Sequence, residues 1–421
     1  MSETAHIPAT SLRGCASLYI HVPFCASKCG YCTFHSSVMP PDPRVAEHFA
    51  WAVGEEIAHW AATGVLDDVV SVYVGGGTPT MLNDSLVTIV QSLPDVMDVC
   101  SAAEVTVETN PDTTDSALAE KLVQAGVTRF SLGVQSLDDE VLRTLGRCHT
   151  AARAQQALHE LVTSGAEVSV DLMCGVPGQT GKSWQDTLER VSESGANHVS
   201  VYPLALEEDT PLAHAVAAGR ISQIDDDMAA EMMEQADDTL SSSGFARYEV
   251  ASYARPGAES VHNTGYWTAR PYVGVGPSAA SMLRAETFAQ VVECRGWRDP
   301  ALTGVGRNVA PIPADAQRVR FVRAADTVGF LSHPTGPPEE VEYLTATEAA
   351  AEDAMLGLRL ARGISEELAA QAGVKRALEE LSAVDLVEHY GDRWRVTHKG
   401  WLLGNEVYSA VWSAGAHREV G

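Results

Sequence analysis

The first 200 residues alternate short β-branched runs with amphipathic helical stretches, and this alternation limits the folds open to the chain. Strand-like runs such as SLYIHV at 17–22, VVSVYV at 69–74 and VSVDLM at 168–173 are separated by segments of helical periodicity. Six strand–helix units of this kind predict a parallel sheet with helices outside it, because parallel neighbours need a crossover connection. The fold class is therefore α/β, as a full or partial (β/α)6 barrel or as an open doubly wound sheet.

Chemically distinctive residues follow the ends of several predicted strands. They include Cys25, the glycines at 75–77, Glu108, Gln135 and the pair at 174–175. The carboxyl ends of parallel strands meet at one edge of a sheet, which is where ligands bind in such folds. We therefore expect these residues to share one site.

The composition changes after residue 297. Prolines interrupt the pattern between 298 and 344, so we expect a linker or irregular segment there. The expected organisation is then a tail at 1–16, an α/β domain with its extension at 17–297, this linker, and a C-terminal domain at 345–421. Helices followed by a hairpin around residues 391–392 predict a small winged-helix-like α+β module.

Charge and hydropathy exclude several classes of function. The chain has 29 Lys and Arg against 56 Asp and Glu, a formal net charge of −27. So acidic a chain is unsuited to nucleic acid, whose phosphates need a basic surface. No apolar run reaches the roughly 18–20 residues that span a bilayer, and residues 1–12 lack the pattern of a signal peptide. We expect a cytoplasmic protein.

Three of the eight cysteines lie within eight residues, in the segment CASKCGYC. The thiolates of Cys25, Cys29 and Cys32 on one short loop can hold three irons of a [4Fe-4S] cluster and leave the fourth iron open. Zinc is the alternative, because His21 and His35 are near enough in sequence to complete a set of four ligands. The spacing favours the cluster, since zinc sites are typically built from paired CxxC knuckles or from Cys and His at set spacing.

The CxxxCxxC segment, with Tyr31 before its last cysteine, resembles the radical S-adenosylmethionine (SAM) superfamily. Seven motifs in order resemble its HemN/HemW group across about residues 18–403: SLYIHVPFC, GGGTPT, VETNPD, SLGVQS, LGRCH, DLMCGVPGQT and RYEVASYA…HNTGYW. The resemblance implies a radical SAM partial (β/α)6 barrel with a HemN-like C-terminal domain. It also implies a [4Fe-4S] cluster on the three cysteines and SAM as a second cofactor.

The resemblance assigns SAM contacts residue by residue. The implied SAM-binding set comprises Tyr19, Gly76, Gly77, Thr78, Glu108, Gln135, Arg147 and Asp171. Glu108 would face the charged methionyl portion and Asp171 the ribose hydroxyls, and Arg147 suits the carboxylate because guanidinium binds carboxylate bidentately. Taken singly, each residue also fits an ordinary role as a turn, a cap, a core side chain or a surface ion pair.

A haem contact is the third expectation. The motif HNTGYW places His262, Tyr266 and Trp267 in a short predicted loop. Alone, it is typical of a histidine beside two core aromatics. The resemblance connects it with haem binding, in which a histidine can be an axial ligand.

The resemblance implies a haem chaperone that binds haem and passes it to acceptor proteins. One alternative is an oxygen-independent coproporphyrinogen III oxidase, an oxidoreductase that decarboxylates two propionates, and another is a radical enzyme that degrades haem. Phe34 stands where such oxidases carry a further cysteine, and only 24 residues precede Cys25, which favours the chaperone. Thr33 in place of the usual Asp and Cys174 in place of a Tyr are departures from the group's pattern, as is the absence of a His after the YVGVG at 272–276.

The implied partners follow from the same group. They are haem or another tetrapyrrole, haem-accepting proteins, and a reductant such as flavodoxin or ferredoxin, with a homodimer as one expected assembly. The SAM site of a chaperone need not support turnover of a tetrapyrrole.

Overall fold

The structure is a computed structural model, which describes residues 15–40, 42–97, 99–222, 225–298 and 309–416. The expected tail at 1–16 therefore lies outside the described residues up to residue 14, as does the part of the expected linker at 299–308. Within the described ranges, no helix is long and apolar enough to cross a membrane.

The strands carry the framework of the fold. In chain order they are β1 (Ser17–Val22), β2 (Phe24–Cys25), β3 (Ser37–Val38), β4 (Val69–Gly76), β5 (Val99–Thr109), β6 (Arg129–Gln135), β7 (Glu167–Cys174), β8 (His198–Pro203), β9 (Ala246–Arg247), β10 (Ser252–Ala254), β11 (Tyr272–Val275), β12 (Ala280–Arg284), β13 (Ala316–Val322), β14 (Glu340–Thr345), β15 (Ile364–Ser365), β16 (Val387–Tyr390) and β17 (Arg393–Val396).

Helices connect most of these strands. They are α1 (Pro43–Ala61), α2 (Asp84–Val96), α3 (Ser116–Ala125), α4 (Asp139–Leu145), α5 (Ala151–Thr163), α6 (Gly181–Ser192), α7 (Pro211–Ala217), α8 (Asp226–Ser242), α9 (Val261–Trp267), α10 (Ala285–Cys294), α11 (Thr327–Ser332), α12 (Ala346–Gly357), α13 (Glu366–Gln371), α14 (Lys375–Ala383), α15 (His398–Leu402) and α16 (Gly404–Ala416). Short 3-10 helices lie at Pro79–Leu82 and Pro111–Thr113.

Six parallel strands form the centre of one twelve-stranded sheet. The order β1-β4-β5-β6-β7-β8 follows the chain, and each strand pairs in parallel with the next. Antiparallel strands end the sheet on both sides, at β14 and at β9, and among the described residues these two edges do not pair with each other. The α/β class and the partial (β/α)6 barrel are therefore confirmed, in an open form.

Alternation along the strands explains why this sheet carries a polar site. In β7, Val168, Val170 and Leu172 are fully buried in the main hydrophobic core. Ser169 and Asp171, the residues between them, line a cavity on the other face. Successive side chains of a strand point to opposite faces, so one strand contributes both to the core and to the site.

The segment at 298–344 differs from the expected linker, because its described part continues the main sheet. Strands β12, β13 and β14 pair antiparallel in that order. Val319 and Phe321 of β13 are buried, and Arg318 pairs with Glu352 at 2.6 Å. The prolines that suggested a linker lie in the turns before and between these elements. Long-range pairing thus overrides the local turn signals.

The C-terminal module has a core of its own. Strands β15, β17 and β16 form a three-stranded sheet in that order, and helices α12, α13, α14 and α16 pack with it. Buried Leu378, Trp394 and Val411 belong to this core. The small winged-helix-like α+β module expected from the sequence is thus present.

Candidate functional site

A cavity of about 360 Å³ includes the carboxyl end of the parallel strands and reaches their amino ends, where Arg129 and His198 line it. All three cysteines of the triad line it. So do seven of the eight residues of the implied SAM-binding set, namely Gly76, Gly77, Thr78, Glu108, Gln135, Arg147 and Asp171. Tyr19 lies one layer away, with its ring stacked on Tyr73, which lines the cavity.

Backbone contacts fix the loop that carries the cysteines. Strand β2 pairs in parallel with β3, and Met39 N donates to the carbonyl of Cys25 at 3.0 Å. In the middle of the loop, Gly30 N donates to Leu145 O at 3.0 Å, and Gly30 O accepts from Leu212 N at 2.8 Å. The loop is therefore held by segments that lie far along the chain.

The three thiols suit an iron–sulfur cluster. Cys25, Cys29 and Cys32 are free and partly exposed to the cavity. Thr78 Oγ1 donates to Cys25 Sγ at 3.7 Å, and Arg147 Nη1 lies 3.5 Å from Cys29 Sγ. Such donors stabilise negative charge on sulfur, as hydrogen bonds to cluster sulfurs do. In the described part of the chain, no three His, Cys, Asp or Glu side chains are close enough to share one metal ion.

Glycine is required at the end of β4. Gly76 has a φ of +108°, a conformation that L side chains rarely adopt. A Cβ on Gly77 would lie 2.6 Å from the carbonyl oxygen of Phe24. Because there is no side chain, Gly77 N donates to Val22 O at 2.8 Å, and the end of β4 lies against the strand that leads to the cysteines.

Glu108 has two donors within the protein. Tyr73 Oη donates to Oε1 at 2.8 Å, and Gly76 N donates to Oε2 at 2.9 Å. The pKa of Glu108 is raised to about 7, mainly by burial and to a smaller extent by the neighbouring Asp171, although the two donors act to lower it. This carboxyl group is therefore poised to ionise when a cation enters the cavity.

Asp171 lies on the adjacent part of the cavity wall. Ser131 Oγ donates to its Oδ2 at 3.0 Å. Burial raises the pKa of Asp171 to about 6, and the hydroxyls of Ser131 and Ser200 oppose that rise. A buried carboxyl group of this kind needs further hydrogen-bond partners, which the hydroxyls of a ribose would supply.

Arg147 and Gln135 meet at the end of β6. Arg147 Nη2 donates to Gly133 O at 2.8 Å, so the guanidinium joins this strand to the cysteine loop. Gln135 has a φ of +64°, and the pairing of β6 with β7 shifts register just before it. Left-handed backbone at a non-glycine residue is often found at functional sites.

The three residues expected to contact haem lie in helix α9 instead of a loop. Ser260 caps this helix, and the carboxylate of Glu104 accepts from the main-chain nitrogens of Val261 and His262. Helix α9 therefore packs against the amino ends of the parallel strands, where Ser260 and Asn263 line the same cavity as the cysteines.

His262 has both ring nitrogens engaged. Nδ1 lies 3.1 Å from Ser71 Oγ, and Nε2 lies 3.0 Å from Tyr266 Oη. The side chain is buried and its ring stacks on Tyr73. Burial lowers the pKa of His262 to about 3. In this arrangement, an iron ligand at His262 would require one of these hydrogen bonds to break.

The sequence alone did not indicate Tyr73, and it indicated His21 only as a possible zinc ligand. Tyr73 donates to Glu108, 35 positions away, from inside a run that looks like an ordinary buried strand. His21 Nδ1 lies 2.9 Å from Tyr19 Oη, and His21 Nε2 donates to the carbonyl of His35 at 2.9 Å. The alternation of side chains along β1 and β4 could have indicated both residues, because it places them on the same face of the sheet as Tyr19.

The chain matches two protein families by sequence. The model described as "Radical SAM superfamily" matches residues 19–191, and that described as "HemN C-terminal domain" matches residues 344–403. Radical SAM proteins hold a [4Fe-4S] cluster and SAM, which agrees with the thiols and the charged groups of the cavity.

Known proteins resemble the chain over most of its length. Heme chaperone HemW of Mycobacterium tuberculosis is 34% identical over 393 residues, which cover 93% of each chain. Heme chaperone HemW of Bacillus subtilis is 29% identical over 410 residues, which cover 94% of this chain and 98% of the relative. The solved structure of coproporphyrinogen III oxidase HemN from Escherichia coli has a TM-score of 0.74 at 20% identity and covers 98% of this chain and 93% of its own, which establishes the shared fold. This chain therefore belongs to the HemW family of radical SAM proteins.

Proposed function

We propose that this protein is a haem chaperone, which binds haem and passes it to acceptor proteins. The observation that carries the proposal is the 34% identity with heme chaperone HemW of Mycobacterium tuberculosis over 93% of both chains. Phe34, at the position where oxidases of the group carry a further cysteine, supports the same choice. The likeness to HemN is a likeness of fold, and it does not distinguish a chaperone from an oxidase.

The proposal assigns the cluster to Cys25, Cys29 and Cys32. When bound, the cluster and SAM supply the one-electron chemistry of the superfamily. The chain itself contributes donors to sulfur from Thr78 and Arg147, at 3.7 and 3.5 Å. These donors favour the deprotonated thiols that iron requires.

The proposal assigns SAM to the charged groups beside the cluster. Tyr73 and Gly76 hold the carboxyl group of Glu108 in one orientation, where it can accept the ammonium of SAM. Arg147 offers a guanidinium to the carboxylate of SAM, and Asp171 accepts from its ribose. A cation and an anion of the ligand thus meet opposite charges inside a buried site, where pairing is stronger than in water.

Three further parts of the proposal concern the setting of the protein. A reductant of the flavodoxin or ferredoxin class would supply electrons in the cytoplasm. Haem-accepting proteins would receive the cargo. A homodimer is the assembly expected from the family.

The proposal is tested by one anaerobic spectroscopic experiment. The cluster is reconstituted and reduced, SAM is added, and ferrous haem, prepared with the same reductant, is titrated while the Soret band is followed for an hour. We expect a stable shifted Soret band, as specific haem binding without chemistry requires. Cys29→Ala serves as the control for effects of the cluster.

Other outcomes of this experiment would contradict the proposal. SAM-dependent bleaching of the Soret band would identify the macrocycle as a substrate and the protein as a haem-degrading enzyme. Decarboxylation of coproporphyrinogen III in a parallel incubation would identify an oxidase. An unperturbed Soret band would remove haem from the function.

A further inference from the structure

Exposed apolar side chains lie on two segments beside the cysteine loop, and one of them lines the cavity. Phe34 is 65% exposed, Val38 60% and Val328 75%. Phe34 also lines the cavity, and Phe34 and Val38 lie within a few residues of Cys32. Large apolar side chains this exposed are typical of a surface that binds a ligand or a partner when they occur together.

Two distant parts of the chain form this surface. Thr327 Oγ1 lies 3.5 Å from His35 Nε2, a long contact that joins the start of α11 to the segment after the cysteines. Phe34 precedes His35, and Val328 follows Thr327. We call Phe34, His35, Val38 and Val328 the rim patch. The patch therefore combines apolar surface with one imidazole.

The interior of the cavity offers a different surface. Below the charged groups it is lined by hydroxyls, those of Thr106, Ser131, Ser169 and Ser200. Thr106 Oγ1 is buried with no hydrogen-bond partner among the described residues. Such a lining suits small polar groups, whereas the flat apolar face of a porphyrin would leave these hydroxyls unpaired.

Three of the four buried histidines in the described part of the chain are committed to protein contacts. His21 and His262 each have both ring nitrogens hydrogen-bonded, and His198 bonds Ser169 and Tyr248. The fourth, His149, has Nε2 3.2 Å from Val134 O and a buried Nδ1 without a partner among the described residues, and its 4% exposure keeps its ring from the face of a macrocycle. His35 is only partly buried; its ring lies beside that of His21, with centroids 6.2 Å apart, and the contact of its Nε2 with Thr327 is a long one. His35 is thus able to bind iron without loss of a buried hydrogen bond.

The charged groups around His35 suit a ligand that carries a carboxylate. Lys28 and Asp326 are the charged groups that act on its ring. Asp326 is already used as the cap of α11, where its Oδ1 accepts from Gly329 N at 2.9 Å. Lys28 is exposed, and its ammonium is available to a carboxylate such as a haem propionate.

We propose that the rim patch is the haem site, with His35 as the iron ligand and with Phe34, Val38 and Val328 against the macrocycle. This inference rests on the proposed function, since it names where the cargo of a haem chaperone binds. It differs from the expectation drawn from the HNTGYW motif, which points to α9 at the opposite end of the strands. The site lies beside the cluster and leaves the interior of the cavity to SAM.

The test compares four variants of the cluster-loaded protein by titration with ferric haem. We expect His35→Ala to weaken binding by roughly tenfold or more, the loss of one modest interaction, and to abolish the spectroscopic signal of an imidazole bound to the haem iron. Val328→Ser should weaken binding by roughly fivefold and keep that signal, because it removes apolar contact and no ligand. The main-chain carbonyl that His21 contacts is retained in His35→Ala.

Two histidines provide matched controls. His48 is exposed and stacks on Trp51 with ring centroids 5.5 Å apart, so His48→Ala removes an exposed imidazole next to an exposed aromatic elsewhere on the surface. His262→Ala removes the ligand that the sequence motif suggests. Both variants should bind haem as the wild type does, and circular dichroism and iron content establish that each is folded and loaded.

A second probe separates the macrocycle from the iron. Metal-free protoporphyrin IX, followed by its fluorescence, should bind His35→Ala as it binds the wild type and should bind Val328→Ser more weakly. Haem binding by His35→Ala with wild-type affinity and signal would overturn the inference and leave the proposed function intact. Equal losses in His48→Ala, or a loss confined to His262→Ala, would also overturn it. Absence of a Soret shift in the wild type would instead refute the proposed function.

Discussion

The hydroxyl of Tyr73 should set the pH at which SAM binds. Tyr73→Phe removes the 2.8 Å hydrogen bond to Glu108 and leaves Gly76 N as the remaining donor that the structure gives this carboxyl group. A hydrogen bond to a charged group contributes about 1.5–3 kcal/mol, and one pKa unit corresponds to about 1.4 kcal/mol. The pKa of Glu108, about 7 in the intact protein, should therefore rise by about one to two units.

The change in pKa converts directly into affinity. If SAM binds the ionised carboxylate, the wild type is about half ionised at pH 7, whereas the variant is ionised to about 1–10%. The dissociation constant of SAM at pH 7 should then rise about 5- to 50-fold in Tyr73→Phe, and the two proteins should differ by about twofold or less at pH 9. Affinity of the wild type should rise with pH up to about 7, with release of a proton on binding, because the folded-state pKa is raised and SAM favours the charged form.

Calorimetry on anaerobically reconstituted protein at pH 6, 7, 8 and 9 measures these constants. The ratio of the two dissociation constants at each pH cancels the titration of the amino group of SAM itself. Tyr31→Phe is a suitable control for the pH dependence, because this tyrosine also lines the cavity and its hydroxyl interacts with Arg147 instead of Glu108, so any change in affinity should not vary with pH. A ratio that is independent of pH, or a ratio below about twofold at pH 7, would refute the assigned role of Glu108.

Four other outcomes follow from the site. Cys29→Ala should lose the cluster, and wild-type iron and sulfide after reconstitution would refute the ligand assignment. Arg147→Ala should bind SAM about 10- to 100-fold more weakly with unchanged iron content, since a charge-assisted hydrogen bond is lost; unchanged affinity would contradict its role. Gly77→Ala should lower the free energy of unfolding in urea by about 1–3 kcal/mol, because its Cβ would lie 2.6 Å from the backbone of Phe24, and a fully stable variant would show that the strands can separate. Without the cluster, Glu108→Gln should become more stable relative to the wild type as the pH rises from 5 to 8, by up to about 3 kcal/mol. The reason is that the folded-state pKa of Glu108 is raised, so the wild type loses stability as the pH rises through about 7. If urea unfolding of the two proteins showed the same pH dependence, this prediction would be wrong.

The parallel strands and the edge that carries the site could be predicted because their signals are local. Each strand is a β-branched run, and the residues that line the cavity follow these runs in sequence. The strands β13 and β14 could not be predicted, because the prolines in the turns around them resemble those of a linker. Only the pairing of β13 with β12, and of β14 with β13, makes them part of the sheet. That pairing joins residues about 40 positions apart, which no local pattern records.

For individual side chains too, local patterns predict the direction in which a residue points but not its distant partners. Period-two alternation predicts that Asp171 points away from the core, but it does not predict that Ser131 reaches it from the next strand. His262 shows the converse limit. The family resemblance connects its motif with haem, whereas both of its ring nitrogens are occupied, by Tyr266 and by Ser71, which lies 191 positions away.

The anchoring of Gly30 has a consequence for synthesis of the protein. Leu212, whose nitrogen donates to Gly30, is made 182 residues after it. At the ribosome's rate of about 5–20 residues per second, the cysteines are exposed for roughly 10–40 s before Leu212 is available to hold their loop. During that interval the three thiols are reactive and unprotected by the fold. Delivery of iron and sulfide to this chain is therefore best timed after its first half has left the ribosome.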